Sequence, residues 1–147
     1  MKLRTCANAI LLSVTLALGA CASPRVLRDF ITDGCTLFPD SAGDACWTDC
    51  CVAHDRAYWR GGTADERKRS DTTLRECVAA RGRPTLASQM YRGVRLTGMP
   101  LWPTWYRWGY GWGYGRGYAP LTPDEQRQAE QKLESRQPAP PDPACTK

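Results

Sequence analysis

The chain is 147 residues long, enough for one domain with extensions. Its net charge of +5 is a mild lean toward anionic surfaces, too weak to argue for nucleic acid, and no DNA- or RNA-binding motif is present. Eight cysteines in so short a chain point to an oxidising compartment and disulfides, unless a metal takes the thiols.

Met1 to Arg4 is a short basic stretch, and residues 7–20 are mostly apolar. That run is shorter than the about 20 residues a bilayer-spanning helix needs, and it has the form of a signal-peptide core. It ends in Leu18-Gly19-Ala20-Cys21, which resembles the bacterial lipobox. The resemblance implies removal of residues 1–20 and lipidation of Cys21, with buried acyl chains holding the protein at a membrane. Ala22 follows, rather than the aspartate that retains many such lipoproteins at the inner membrane, so the resemblance implies the outer membrane. The alternative is ordinary cleavage at the small-x-small site Ala20-Cys21-Ala22, which gives a periplasmic or secreted protein. Loss of Lys2 and Arg4 with the leader would leave +3, two fewer than the full chain's +5. Cys6 would leave too, and lipid would take Cys21. Cys35, Cys46, Cys50, Cys51, Cys77 and Cys145 remain, an even set that fits three disulfides without pairing them.

Residues 21–32 read as a tether. Residues 33–46 read as a loop, with Gly34, Pro39, Asp40, Gly43 and Asp44 as turn formers. From Trp47 to Arg60 nothing breaks a helix, and Gly61-Gly62 ends it. Thr63-Ala64-Asp65-Glu66 is a capping box that opens a second helix, running to about Arg81. The tight Gly-Gly link makes the pair an antiparallel hairpin. A third, weaker helix is predicted over 85–97, with Leu86, Met90 and Val94 on one side. Residues 102–118 interleave Trp and Tyr with Gly and Arg. Three readings fit this stretch equally: a membrane-interface patch, an aromatic lid on the helices, or a low-complexity segment without order. Thr122-Pro123-Asp124-Glu125 signals another helix start. That helix is nearly all polar apart from Ala129 and Leu133, and a Pro-rich tail runs from Pro138 to Pro143.

The chemistry concentrates on the first helix. Cys51, His54, Asp55 and Tyr58 stand at i, i+3, i+4 and i+7 and share a face. Titratable and polar groups make a poor core stripe, because each needs a partner when buried. The second helix offers Asp71, Leu74, Cys77 and Val78. If the helices are antiparallel with His54 opposite Asp71, Cys50 lies about 6 Å along one axis and Cys77 about 9 Å along the other, displaced the same way. A Cys50–Cys77 disulfide is therefore compatible with a His54–Asp71 hydrogen bond.

Cys50-Cys51-Val52-Ala53-His54-Asp55, with Tyr58 after it, resembles the signature of the secreted phospholipase A2 family. Cys35, sixteen residues before Cys51, and Asp71, six before Cys77, extend the resemblance over about residues 33–82. It implies a Cys35–Cys51 disulfide between a calcium loop and the first helix. It also implies that His54 is the general base acting on water, that Asp71 orients its imidazole and stabilises the cationic form, and that Tyr58 hydrogen-bonds Asp71. Asp55 would be a bidentate Ca2+ ligand, joined by the loop carbonyls of Gly34, Thr36 and Phe38. Calcium would polarise the ester carbonyl, with the Thr36 amide donating to the oxyanion. The implied reaction is hydrolysis of the sn-2 ester of glycerophospholipids at a membrane surface.

The departures from the family are specific. Thr36 and Phe38 stand where its calcium loop has glycines, and positive φ there would be costly. Ala57 and Ser70 together replace one family disulfide. Cys46 and Cys145 have no family counterpart and are free to pair with each other. Arg67-Lys68-Arg69 reads as a solvated helix face, or as a contact for anionic headgroups. The expected fold is small, mainly α and disulfide-stapled, phospholipase A2-like over 33–100, with an aromatic segment and polar tail over 101–147. The competing readings are a non-catalytic envelope lipoprotein on the same scaffold, and a zinc module using Cys46, Cys50, Cys51 and His54.

Overall fold

In the computed structural model, which describes residues 25–135 and Cys145, the chain is mainly α, with four helices and one short hairpin. The expected leader, the expected lipidation site Cys21 and the Pro-rich tail lie outside the described residues. No helix among the described residues is long and apolar enough to cross a membrane.

The first elements are two-residue strands, β1 (Ser41–Ala42) and β2 (Ala45–Cys46), paired antiparallel with Ser41 opposite Cys46. They fall inside the stretch expected to be loop. Helix α1 (Thr48–Arg60) follows, and Gly61 and Gly62, at φ 70° and 142°, stop it. Helix α2 (Ala64–Ala80) opens with both halves of its capping box, Glu66 N–H to the Thr63 hydroxyl and Thr63 N–H to the Glu66 carboxylate. Helix α3 (Pro84–Thr97) starts with proline in its first turn and packs closely on α2, burying Ala87 and Met90. Helix α4 (Pro123–Glu134) has a second capping box, Thr122 with Glu125.

Three disulfides staple the helical half: Cys35–Cys51, Cys50–Cys77 and Cys46–Cys145, with Cα separations of 5.1, 5.8 and 5.4 Å. Cys50 near the start of α1 meets Cys77 near the end of α2, so the two helices run antiparallel. One core cluster lies here, built from Trp47, Leu74, Val78, Ala87, Met90 and three cysteines.

The second cluster corrects two boundaries. Leu27 and Phe30, expected in a tether, are buried with Tyr58, Trp59, Trp108, Tyr110, Trp112 and Ala129. The domain therefore begins before residue 33 and continues well past residue 100. The aromatic segment is not unordered: of the three readings, the one in which it packs on the helices fits its inner residues, which meet Tyr58 and Trp59 of α1. Its Trp108, Tyr110 and Trp112 are core, while Trp102, Trp105, Tyr114 and Tyr118 stay exposed. Its backbone presses against the end of α1: a Cβ on Gly61 would meet the Gly109 Cα at 2.8 Å. Helix α4 closes over this cluster with Ala129, and Gln128 holds the Leu27 N–H and the Arg25 carbonyl.

Candidate active site

The α1–α2 hairpin brings His54 and Asp71 together. His54 Nε2 lies 2.9 Å from Asp71 Oδ1, and both groups are buried. Tyr58, one turn along α1, donates its hydroxyl to the same Oδ1 at 2.8 Å. From α3, Arg95 Nη1 donates to Oδ2 at 2.7 Å. Arg67, one turn before Asp71 on α2, donates through Nε to the Tyr58 hydroxyl at 3.0 Å and stands 3.9 Å from Oδ2. Its remaining nitrogens hold the Tyr118 hydroxyl and the carbonyls of Val94 and Arg95.

This network fixes the protonation of its members. Burial alone would raise the pKa of fully buried Asp71. The hydrogen bonds from His54 and Arg95, the His54 charge and the Tyr58 hydroxyl outweigh burial and hold it below the usual carboxylate value. An ionised Asp71 only accepts hydrogen bonds, so His54 Nε2 carries a proton, and in the neutral ring Nδ1 is the nitrogen with the lone pair. Burial and the Asp71 charge push the Tyr58 phenol up, so it remains a donor. Arg67 is also raised: burial opposes its charge, but Tyr58 and Asp71 prevail.

Asp55 lies on the neighbouring side of α1, half-buried, with Thr32 Oγ1 donating to its Oδ2 at 2.6 Å. Among the described residues no cation pairs with it. Burial pushes its pKa up to about 7, the Thr32 bond pulls back, and the charges of Asp33 and Asp40 push further. The loop in front of it is held by Asp40, whose Oδ1 accepts the Cys35 N–H at 2.8 Å. Gly34, at φ 79°, leaves the space that this carboxylate occupies. Thr36 Oγ1 donates to Asp33 Oδ1 at 2.8 Å.

Gly34, Thr36, Phe38, His54, Asp55 and Tyr58 all line one cavity of about 140 Å³. Leu74, Met90 and Val94 complete its mainly apolar wall. The loop's cost does not fall where the glycine pattern placed it. Thr36 and Phe38 avoid positive φ, and exposed Leu37 takes it instead, at 63°.

A hard divalent cation suits this donor set. The offered groups are oxygens, and a half-buried carboxylate flanked by two like charges is relieved by a cation. The zinc alternative lacks thiolates, since Cys46, Cys50 and Cys51 are all in disulfides. Asp49, Cys50 and Cys77 also come within 4.8 Å of one another. There too the sulfurs are bonded to each other, and Asp49 pairs with Arg81 at 2.6 Å. Ala57 and Ser70, the missing disulfide, line one groove between α1 and α2.

Sequence reasoning missed Thr32, Arg67 and Arg95. Arg67 is a correction, because the basic triplet was read as solvated. Lys68 and Arg69 are exposed, whereas Arg67 is buried. Its position four residues before Asp71, in line with Leu74 and Val78, was the available signal. No protein-family model matches the chain, and neither the curated proteins nor the solved structures yield a match.

Proposed function

We propose that the protein is a calcium-dependent hydrolase of the sn-2 ester of glycerophospholipids, exported and anchored through Cys21 at the outer membrane. The observation that carries this reading is the His54 Nε2–Asp71 Oδ1 bond of 2.9 Å, across a sulfur-clamped hairpin, beside an apolar cavity that Asp55 borders. His54 Nδ1 accepts a proton from water as the oxygen adds to the ester carbonyl. The same proton then passes to the departing glycerol oxygen, giving a fatty acid and a lysophospholipid. Asp71 orients the ring and offsets its transient charge. The apolar wall receives the acyl chain and keeps bulk water away. Asp55 and the carbonyls of Gly34, Thr36 and Phe38 would hold the calcium ion. When bound, that ion supplies Lewis-acid stabilisation of the oxyanion, alongside the Thr36 amide.

The competing reading is a non-catalytic lipoprotein on the same scaffold. A non-glycine residue at positive φ in the loop favours it. One assay separates the two: fatty-acid release from phospholipid vesicles, with calcium or chelator, by the wild type and His54→Gln. The hydrolase reading expects release that chelator abolishes and that His54→Gln lowers about 10²- to 10⁴-fold. Equal release in every arm, or none, removes it.

A further inference from the structure

A groove beside the catalytic cavity contains two guanidinium groups for which hydrolysis has no use. Arg28 and Arg107 both donate through Nη2 to one oxygen, the Trp112 carbonyl, at 3.1 and 3.0 Å. Sharing one acceptor brings two cations to a single point. Arg107 is only 5% exposed, and its guanidinium stacks over Tyr114 at 5.4 Å. Its Nε and Nη1 have no hydrogen-bond partner among the described residues. No ion pair joins Arg28 or Arg107 to a carboxylate among those residues either. Asp29, also in the groove, pairs with Lys132. Burial, then the charge of Arg28, holds Arg107 below the usual arginine value. A buried cation beside a second cation is costly without an anion between them.

The groove has the room and the surroundings for a phosphate ester. Its volume is about 650 Å³, within the range of small-molecule sites. Ile31, Trp105 and Tyr114 stand on its rim, all exposed. Trp102 and Leu101, just before it in the chain, are exposed as well. Tryptophan and tyrosine favour the headgroup layer of a bilayer. The groove also adjoins the cavity: Trp105 lines the one and Tyr106 the other, with ring centroids 5.3 Å apart.

We propose that Arg28 and Arg107 form a docking site for the phosphate of an anionic phospholipid headgroup, rimmed by Trp105 and Tyr114 and distinct from the hydrolytic site. The lipid held there is not cleaved. It fixes the protein on the surface with the mouth of the His54 cavity beside neighbouring lipids. This site stands apart from the hydrolase reading, since it uses neither His54 nor Asp55.

Sedimentation with vesicles tests it, on the chain carrying Cys21→Ser so that no acyl anchor holds it there, and in chelator so that no hydrolysis intervenes. The probes are phosphatidylcholine vesicles, the same vesicles with phosphatidylglycerol, and inorganic phosphate. Wild type should prefer the phosphatidylglycerol vesicles. Arg28→Gln and Arg107→Gln should each weaken that preference about fivefold, the worth of one cation near an anionic surface. Arg69→Gln removes an equal charge from exposed α2 and should change it much less. Arg28 is exposed, so its variant keeps the test valid if Arg107→Gln fails to fold by circular dichroism. Trp105→Ala should weaken binding to both kinds of vesicle. An equal loss in Arg69→Gln and Arg28→Gln would overturn the site in favour of general charge attraction. Phosphate binding without preference for phosphatidylglycerol would reassign the groove to a free anion and overturn the headgroup proposal.

Discussion

The two halves of this molecule solve the same problem by different chemistry. The helical half, around Trp47, Leu74 and Met90, is joined by three disulfides. The aromatic half, around Trp59, Trp108 and Trp112, contains none of these cysteines. Its side chains instead reach distant carbonyls: Trp59 Nε1 to Arg28, Trp108 Nε1 to Gly62, Trp112 Nε1 to Arg60 and the Tyr110 hydroxyl to Ile31, all between 2.6 and 2.9 Å. Irregular chain leaves backbone carbonyls unpaired, and buried ones need donors. Indoles and phenols provide a donor and a large apolar surface together. The two halves meet at α1, where Tyr58 packs edge-on to Trp108 with centroids 5.1 Å apart while bonding Asp71. Support for the candidate site is covalent on one side and packed on the other.

Removing one support from each half ranks them. Trp112→Ala deletes a fully buried indole and its hydrogen bond to Arg60, and should cost about 4 kcal/mol. The double variant Cys50→Ala, Cys77→Ala opens a cross-link of sequence separation 27 and should cost about 3.5 kcal/mol by chain entropy. Denaturant melts of both variants measure the difference. A disulfide variant clearly more damaging than Trp112→Ala would mean that the aromatic half leans on the staples rather than standing beside them.

What could be read from the sequence follows the same division. The ends of α1 and α2 were legible because their signals are local: Gly61-Gly62 and the Thr63–Glu66 box lie within a few residues of what they control. The meeting of His54 with Asp71 was legible because Cys50 and Cys77 demand the same register. Strands of two residues have no period to detect, so the hairpin at 41–46 was read as loop. Leu27 looked like tether because its core partners are far along the chain; the neighbouring Arg28–Tyr110 bond spans 82 positions. The burial of Trp108, Tyr110 and Trp112 was hidden by their glycine- and arginine-rich surroundings, which fit a surface patch equally well. Roles beyond geometry were carried only by the family resemblance.

Asp55 sharpens the comparison from the loop side of the helical half. Its carboxyl is pushed up to about 7 from an ordinary 3.8, chiefly by burial. Between these values the folded state holds more protons than the unfolded one, so stability falls as pH rises from about 4 to about 7 and then levels. Asp71, shifted the other way, acts only at the acid end: its contribution is present above the ordinary carboxylate value and lost as pH falls below it. Allowing for the part of Asp55 that water reaches, the loss should be about 2 kcal/mol. In chelator, Tm at pH 5 should therefore exceed Tm at pH 7.5. Calcium should recover the difference by binding the folded state alone, and Asp55→Asn should flatten it. A Tm independent of both pH and calcium would leave the loop without a cation to hold.

The smallest effect expected concerns Arg95, which reaches the site from α3, outside both the staples and the aromatic packing. Arg95 is a third exposed, yet it makes the only hydrogen bond to Asp71 Oδ2 among the described residues, since Arg67 Nε stands at 3.9 Å. It holds the carboxylate that bonds His54, so on the proposed reading it is a positioning residue rather than a participant. On the proposed hydrolase reading, Arg95→Met should lower kcat about tenfold, about 1.4 kcal/mol in the barrier, with KM unchanged because Arg95 is not among the residues lining the cavity. Arg95→Lys restores a cation near Oδ2 and should recover most of the rate. A purely structural role would appear as a loss of Tm that lysine and methionine share, with no separation in kcat. In that event the alignment of the His–Asp pair rests on the α1–α2 clamp and Tyr58 alone.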